Sequence, residues 1–196
     1  MGMTTAKGST TCELPVFFAT TEGQTRRIAE RLASVLRDRG FESKAIDMAG
    51  TDAANVDWTR VRGVMVGASL HRGRHQREAD KFVRAHVADL NYLPSAFVSV
   101  SLSAASKNRT EVEAAAQLAR AFPETRGWKP TCVASVAGRL AYSEYGFFIR
   151  LVMRYIARKE GAPTDMSRDY ELTNWEEVNK LACDFAARIG ARTAVA

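Results

Sequence analysis

Three hydroxyls and a glycine fall together in Thr20-Thr21-Glu22-Gly23-Gln24-Thr25, between an apolar run and a helical pattern. Leu14-Pro15-Val16-Phe17-Phe18-Ala19 ahead of it reads as a buried strand, while Ile28, Leu32, Val35 and Leu36 behind it recur on one helical face. A strand feeding such a turn and then a helix leaves unpaired backbone N–H groups, and the positive end of the helix dipole, aimed at one spot. Thr20, Thr21 and Thr25 add hydroxyl donors, and Gly23 permits a backbone conformation that a side chain would obstruct. The chemistry this suits is capture of a phosphate monoester. The alternative is that Thr20 or Thr21 only caps the helix. The turn lacks the closing Gly-Lys-Ser/Thr of a nucleoside triphosphate loop and the spaced glycines of a dinucleotide fingerprint, so a smaller phosphate compound is expected.

A second cluster, Ser69-Leu70-His71-Arg72-Gly73-Arg74-His75, sets two histidines, two arginines and a glycine in seven positions. Arg139 and Tyr142 follow a later apolar run. None of the histidines has metal-ligand spacing with a partner, and His86 falls inside a helical pattern, where a structural role is expected. Cys12, Cys132 and Cys183 are odd in number and scattered, which suggests neither a disulfide framework nor a metal cluster and makes reduced thiols in a cytoplasm the default.

The elements that must hold these residues alternate. Helical patterns over residues 24–39, 76–90 and 110–122 separate strand-like runs over 14–19, 41–48, 63–68, 96–102 and 131–138. Gly40 is placed to end the first helix. Five strands spaced by helices mean an α/β fold, a parallel sheet covered on both faces, with ligands beyond the carboxyl ends of the strands. The segments 20–25, 69–75, 102–109 and 138–143 then converge on one pocket. After the fifth strand the alternation breaks. Wound as a helix, residues 144–158 carry an apolar, aromatic surface with Arg150, Arg154 and Arg158 as a basic stripe. Thr173 or Asn174 caps a last helix running to Arg188.

The 196 residues fit one domain, and 46% hydrophobic content supplies a sizeable core. We divide the chain into a mobile segment 1–13, a domain 14–190 carrying a helical insertion over 143–172, and a tail 191–196. No run is long enough to span a bilayer, and the first dozen residues lack the plan of a signal peptide. Lys and Arg outnumber Asp and Glu by 28 to 22, a net +6, which favours anionic partners: nucleic acid, a phospholipid surface or an acidic substrate. The arginines are dispersed without a nucleic-acid motif, so no nucleic acid is expected.

Thr20-Thr21-Glu22-Gly23-Gln24-Thr25 resembles the phosphate loop of flavodoxins. With it stand Gly67-Ala68-Ser69, Pro94-Ser95-Ala96-Phe97, Ala137-Gly138-Arg139-Leu140-Ala141-Tyr142, Thr164-Asp165 and Thr173-Asn174-Trp175-Glu176, in order. Together they resemble the menaquinone-dependent protoporphyrinogen IX dehydrogenases, flavodoxin-like enzymes of bacterial haem synthesis, over about residues 14–189. The resemblance implies a five-stranded doubly wound sheet of order 2-1-3-4-5 and FMN as cofactor. It also implies oxidation of protoporphyrinogen IX to protoporphyrin IX, with menaquinone or another quinone as electron acceptor. A flavodoxin-like NAD(P)H:quinone reductase or an electron carrier is the alternative on the same fold.

By that resemblance FMN is held by Thr20, Thr21, Glu22, Gly23, Gln24 and Thr25, then by Ser69, Leu70 and Gly73, and lastly by Leu102, Ser103 and Ala104. His71, Arg72, Arg139 and Tyr142 are the candidate catalytic residues, cations and a phenol suited to a carboxylated macrocycle or to negative charge on the reduced cofactor, with Arg74 and His75 as weaker candidates. Helix 144–158 is expected to meet an anionic membrane surface, making the protein peripheral on the cytoplasmic face of the inner membrane. A helix docked on its own sheet or in a dimer contact is the alternative.

Overall fold

The computed structural model describes residues 13–140 and 170–193. Segment 1–12, the insertion expected to be helical over 144–158, Tyr142 and the last three residues lie outside them. β1 is Val16–Ala19, α1 Gln24–Asp38, β2 Ala45–Asp47, β3 Val64–His71 and β4 Arg74–His75. There follow α2 Arg77–Ala85, α3 Val87–Tyr92, β5 Ser95–Ser101, α4 Arg109–Glu124, β6 Cys132–Ala137, β7 Arg139–Leu140, β8 Tyr170–Glu171 and α5 Trp175–Thr193.

Every residue of β1 is buried, yet alternate side chains go to opposite faces. Val16 and Phe18 join Met65, Ala96, Val98 and Val100 beneath Ile28, Leu32 and Leu36 of α1 and Val178, Ala182 and Phe185 of α5. Phe17 and Ala19 join Val64, Val66, Ala68 and Phe97 against Phe82 and Val83 of α2, Leu90 of α3 and Phe122 of α4. Two cores, one on each face, are what unbroken apolar strands require.

The strands run parallel in the order β2-β1-β3-β5-β6. β5 and β6 are the fourth and fifth apolar runs of the sequence, so this is the expected order 2-1-3-4-5. Val16 stands opposite both Ala45 of β2 and Met65 of β3, and Val64 opposite Ser95 of β5. Order reverses at β1, with β2 to one side and β3 to the other. The crevice between the carboxyl ends of β1 and β3 is therefore the topological switch point where ligands of such sheets sit.

Gly40 ends α1 as its sequence position predicts. It takes φ +87°, its N–H donates to the Arg37 carbonyl (2.9 Å), and Phe41 N–H donates to Leu36 (3.2 Å), the paired bonds of a Schellman turn. The helix expected over 76–90 departs from expectation by breaking in two at His86, whose backbone (φ −117°, ψ 20°) leaves the helical region. The break seats the His86 ring against Trp58 and Phe82, at 5.0 and 4.8 Å between centroids, a structural position as expected. α5 is capped by Asn174, whose side-chain oxygen accepts from Glu176 N–H (3.1 Å) and Glu177 N–H (3.3 Å).

Candidate functional site

The turn after β1 closes on itself. Thr20 Oγ1 accepts from Gly23 N–H (3.0 Å), and Gly23, at φ +82°, becomes the residue from which α1 starts. No side chain caps α1. Its first helical hydrogen bond is Arg27 N–H to the Gly23 carbonyl (3.2 Å), so the N–H groups of Gln24, Thr25 and Arg26 have no acceptor within the helix. Capping by Thr20 or Thr21 is thus not what the hydroxyls do. Glu22 is half-buried, and since a carboxylate repels an anion, what it offers an anion is its backbone.

Thr25 is 1% exposed, and its hydroxyl is buried with no hydrogen-bond partner. Its methyl leans toward β3, where a side chain on Gly67 would come within 3.3 Å of it. A buried hydroxyl without a partner costs about 1–3 kcal/mol, which an acceptor arriving in the crevice would relieve. An anion beside an uncapped helix start is such an acceptor, so the donor set fits a phosphate monoester.

Gln24 is turned elsewhere. Its amide donates to Glu171 Oε1 and Thr173 Oγ1 (both 2.8 Å) and accepts from Arg27 (2.9 Å), so what it presents to the turn is its backbone. Arg27 also pairs with Glu171 (3.0 Å), and Thr173 Oγ1 donates to the Ala137 carbonyl (2.7 Å). These bonds tie the first turn of α1 to the end of β6 and to β8. Arg139 and Leu140 of β7 pair antiparallel with Glu171 and Tyr170 of β8. Arg139 thus lies in a short ribbon at the carboxyl edge, and Tyr142 lies outside the described residues.

The segment 69–75 is not an open loop. β3 continues to His71, and Leu70 and His71 pair with His75 and Arg74 across a turn of two residues. Arg72 (φ 49°) and Gly73 (φ 76°) both occupy the left-handed region, as the tightest hairpin turns require. The polar sequence, lacking a two-residue alternation, hid this hairpin. His71, Arg72, Gly73 and Arg74 are exposed at its tip.

His75 points inward, which corrects its reading as a carboxylate receiver. Its Nε2 lies 2.9 Å from Ser99 Oγ, and its ring packs on Phe97 and Phe122 (5.3 and 4.5 Å). Burial, helped by the Arg126 guanidinium, pushes its pKa down to about 4, so it is neutral near pH 7.

Two further stretches reach the same edge. Ala104 N–H donates to Ser101 Oγ (3.2 Å), folding Leu102, Ser103 and Ala104 over the end of β5, where all three are half-buried. Gly138 N–H donates to the Ser101 carbonyl (3.0 Å). One residue that sequence reasoning passed over is Gln76. Its amide nitrogen donates to Thr21 Oγ1 (3.2 Å) and to Ser69 Oγ, joining the turn after β1 to the end of β3. Nothing in its sequence position, at the start of a helix, signals this.

The family model of the flavodoxin domain matches residues 15–167. A protoporphyrinogen IX dehydrogenase [quinone] of Escherichia coli K12 is 33% identical over 177 residues, covering 87% of this chain and 93% of that protein. The chain belongs to the protoporphyrinogen IX dehydrogenase family of flavodoxin-domain proteins. A relative of the same description from Leishmania major is 30% identical over 174 residues, 88% of this chain and 74% of its own. Oxidised flavodoxin 1 of Bacillus cereus superposes with a TM-score of 0.50 at 15% identity, covering 89% of this chain and 97% of that one, a likeness of fold. No helix among the described residues is long and apolar enough to cross a membrane.

Proposed function

We propose that this chain is an FMN-dependent oxidoreductase that oxidises protoporphyrinogen IX to protoporphyrin IX and delivers the electrons to a quinone, menaquinone among the candidates. The activity for which its relatives are named supports the substrate and the acceptor class. The observation that carries the cofactor reading is the buried, unpartnered Thr25 hydroxyl beside the uncapped start of α1, at the switch point of the sheet.

Thr20, Thr21 and Thr25, with the backbone of Glu22, Gly23 and Gln24, would hold the phosphate. Ser69, Leu70 and Gly73 on one side and Leu102, Ser103 and Ala104 on the other would line the ring. FMN, when bound, supplies the two-electron redox chemistry, and the protein positions and polarises. The exposed His71 and Arg72 at the hairpin tip suit the propionates of a tetrapyrrole, as does Arg139 of β7 at the same edge, and Tyr142 is the phenol that the sequence offers beside it. Helix 144–158 would bring the site to an anionic membrane surface, with the protein peripheral on the cytoplasmic face of the inner membrane.

Anaerobic mixing of the FMN-loaded protein with protoporphyrinogen IX tests this. Bleaching of the flavin absorbance, reversed by a menaquinone analogue, is the expected result. Bleaching by NADPH and not by protoporphyrinogen IX would overturn the substrate assignment.

A further inference from the structure

Gln76, whose amide bridges the two sides of the crevice, carries the second unpartnered buried side-chain atom among the described residues. Its amide nitrogen has two hydrogens, and both are used: one on Thr21 Oγ1 and one on Ser69 Oγ. Its carbonyl oxygen, Oε1, is buried and accepts from nothing. Because Gln76 donates to both hydroxyls, the hydrogens of Thr21 and Ser69 are left to point elsewhere. Thr21 belongs to the turn after β1 and Ser69 to β3, so Gln76 spans the switch point.

The two orphaned atoms ask for different ligand groups. Thr25 Oγ1 carries a hydrogen and is satisfied by an acceptor such as a phosphate oxygen. Gln76 Oε1 is acceptor-only and needs an O–H or N–H, which an ionised phosphate monoester does not offer. On FMN the donors are the ribityl hydroxyls and the ring imide, and the ribityl chain is the part joined directly to the phosphate. Gln76 adjoins the phosphate turn through Thr21, which selects the polyol.

We propose that Gln76 is the polyol-recognising residue of this site. Its carbonyl accepts a ribityl hydroxyl, while its amide holds the Thr21 and Ser69 hydroxyls turned as donors toward the ligand. This rests on the flavin reading above and adds a specificity element to it: the site reads the sugar-alcohol chain as well as the phosphate.

The test compares FMN with riboflavin, which keeps the ribityl chain and lacks the phosphate, by quenching of flavin fluorescence. Gln76→Met, close in volume and without either polar end, should weaken riboflavin about tenfold, the worth of one hydrogen bond in a buried site, and FMN by at least as much. Gln76→Glu retains an acceptor but takes the Thr21 and Ser69 hydrogens for itself and adds negative charge. It should therefore weaken FMN far more than riboflavin. Should Gln76→Met fail to fold, the side-chain amide resonances of Gln76 in the wild-type chain serve instead, and riboflavin alone should shift them. Wild-type protein that binds riboflavin, with Gln76→Met binding it equally well or the amide resonances unmoved, overturns the proposal and leaves the flavin reading standing. A wild-type chain that retains neither flavin overturns both.

Discussion

Thr25 makes the most local claim. Its methyl packs toward Gly67 while its hydroxyl has no partner, so Thr25→Val keeps the shape and removes only the unsatisfied group. Without ligand the variant should gain on the order of 1 kcal/mol, because a buried orphan is gone, which raises the melting temperature by about 2–4 °C. With FMN it should lose roughly tenfold or more in affinity, since a hydrogen bond to a charged group is worth about 1.5–3 kcal/mol. Stability and affinity moving in opposite directions, read by thermal melts and flavin titration, separates a ligand-facing hydroxyl from a packing one. Loss of both together would sink the assignment. His75 makes an opposite kind of claim, about a group withheld from the site. Its pKa falls from 6.5 unfolded to about 4 folded, so between those values the unfolded chain binds a proton that the folded chain refuses. Stability must drop as pH falls through that window, by about 3 kcal/mol at pH 4, and His75 contributes almost no slope above about pH 8. Urea unfolding at pH 7 and pH 5 should show a flatter dependence in His75→Gln than in the wild type.

Whole elements were legible where one periodicity ran long enough to declare itself. α1 with its glycine stop and the strands β1, β3, β5 and β6 stand within a few residues of where apolar spacing puts them. What sequence concealed depended on partners far along the chain. Gln24 reads as a phosphate ligand because it sits in the right turn, but its side chain is claimed by Glu171, which lies 147 positions away. The hairpin β3–β4 was hidden differently, by a polar sequence with no alternation and by an arginine in a conformation that side chains avoid. That element carries its own prediction. Arg72→Asn substitutes a residue that tolerates the left-handed region and should raise stability by a few tenths of a kcal/mol to about 1 kcal/mol. Gly73→Val forces a branched side chain into φ 76° and should cost about 1–2 kcal/mol. Equal, small effects of the two substitutions on the melting temperature would mean that the turn relaxes into another type.

At the scale of the molecule, the sheet gathers at one edge the segments that follow β1, β3, β5 and β6, and the chain's net charge of +6 favours anionic partners. The proposed membrane contact lies in 144–158, outside the described residues, and its three arginines at four-residue intervals are the sequence feature that carries it. The exposed hairpin tip, His71 to Arg74, is a second source of positive charge at the same edge. Each Lys or Arg near an anionic leaflet contributes about 1 kcal/mol at physiological salt. Screening shortens that reach from about 10 Å at 0.1 M salt to about 3 Å at 1 M. The FMN-loaded protein should therefore sediment with phosphatidylserine vesicles at low salt, and less so with neutral phosphatidylcholine vesicles. A chain lacking residues 144–159 should lose the part of binding that survives about 1 M salt, because apolar insertion, unlike charge attraction, is not screened. Binding that disappears wholly in salt in both chains would assign the contact to charge alone, with the hairpin tip sufficient for it. Unchanged binding of the shortened chain at all salt concentrations would remove 144–158 from the membrane contact.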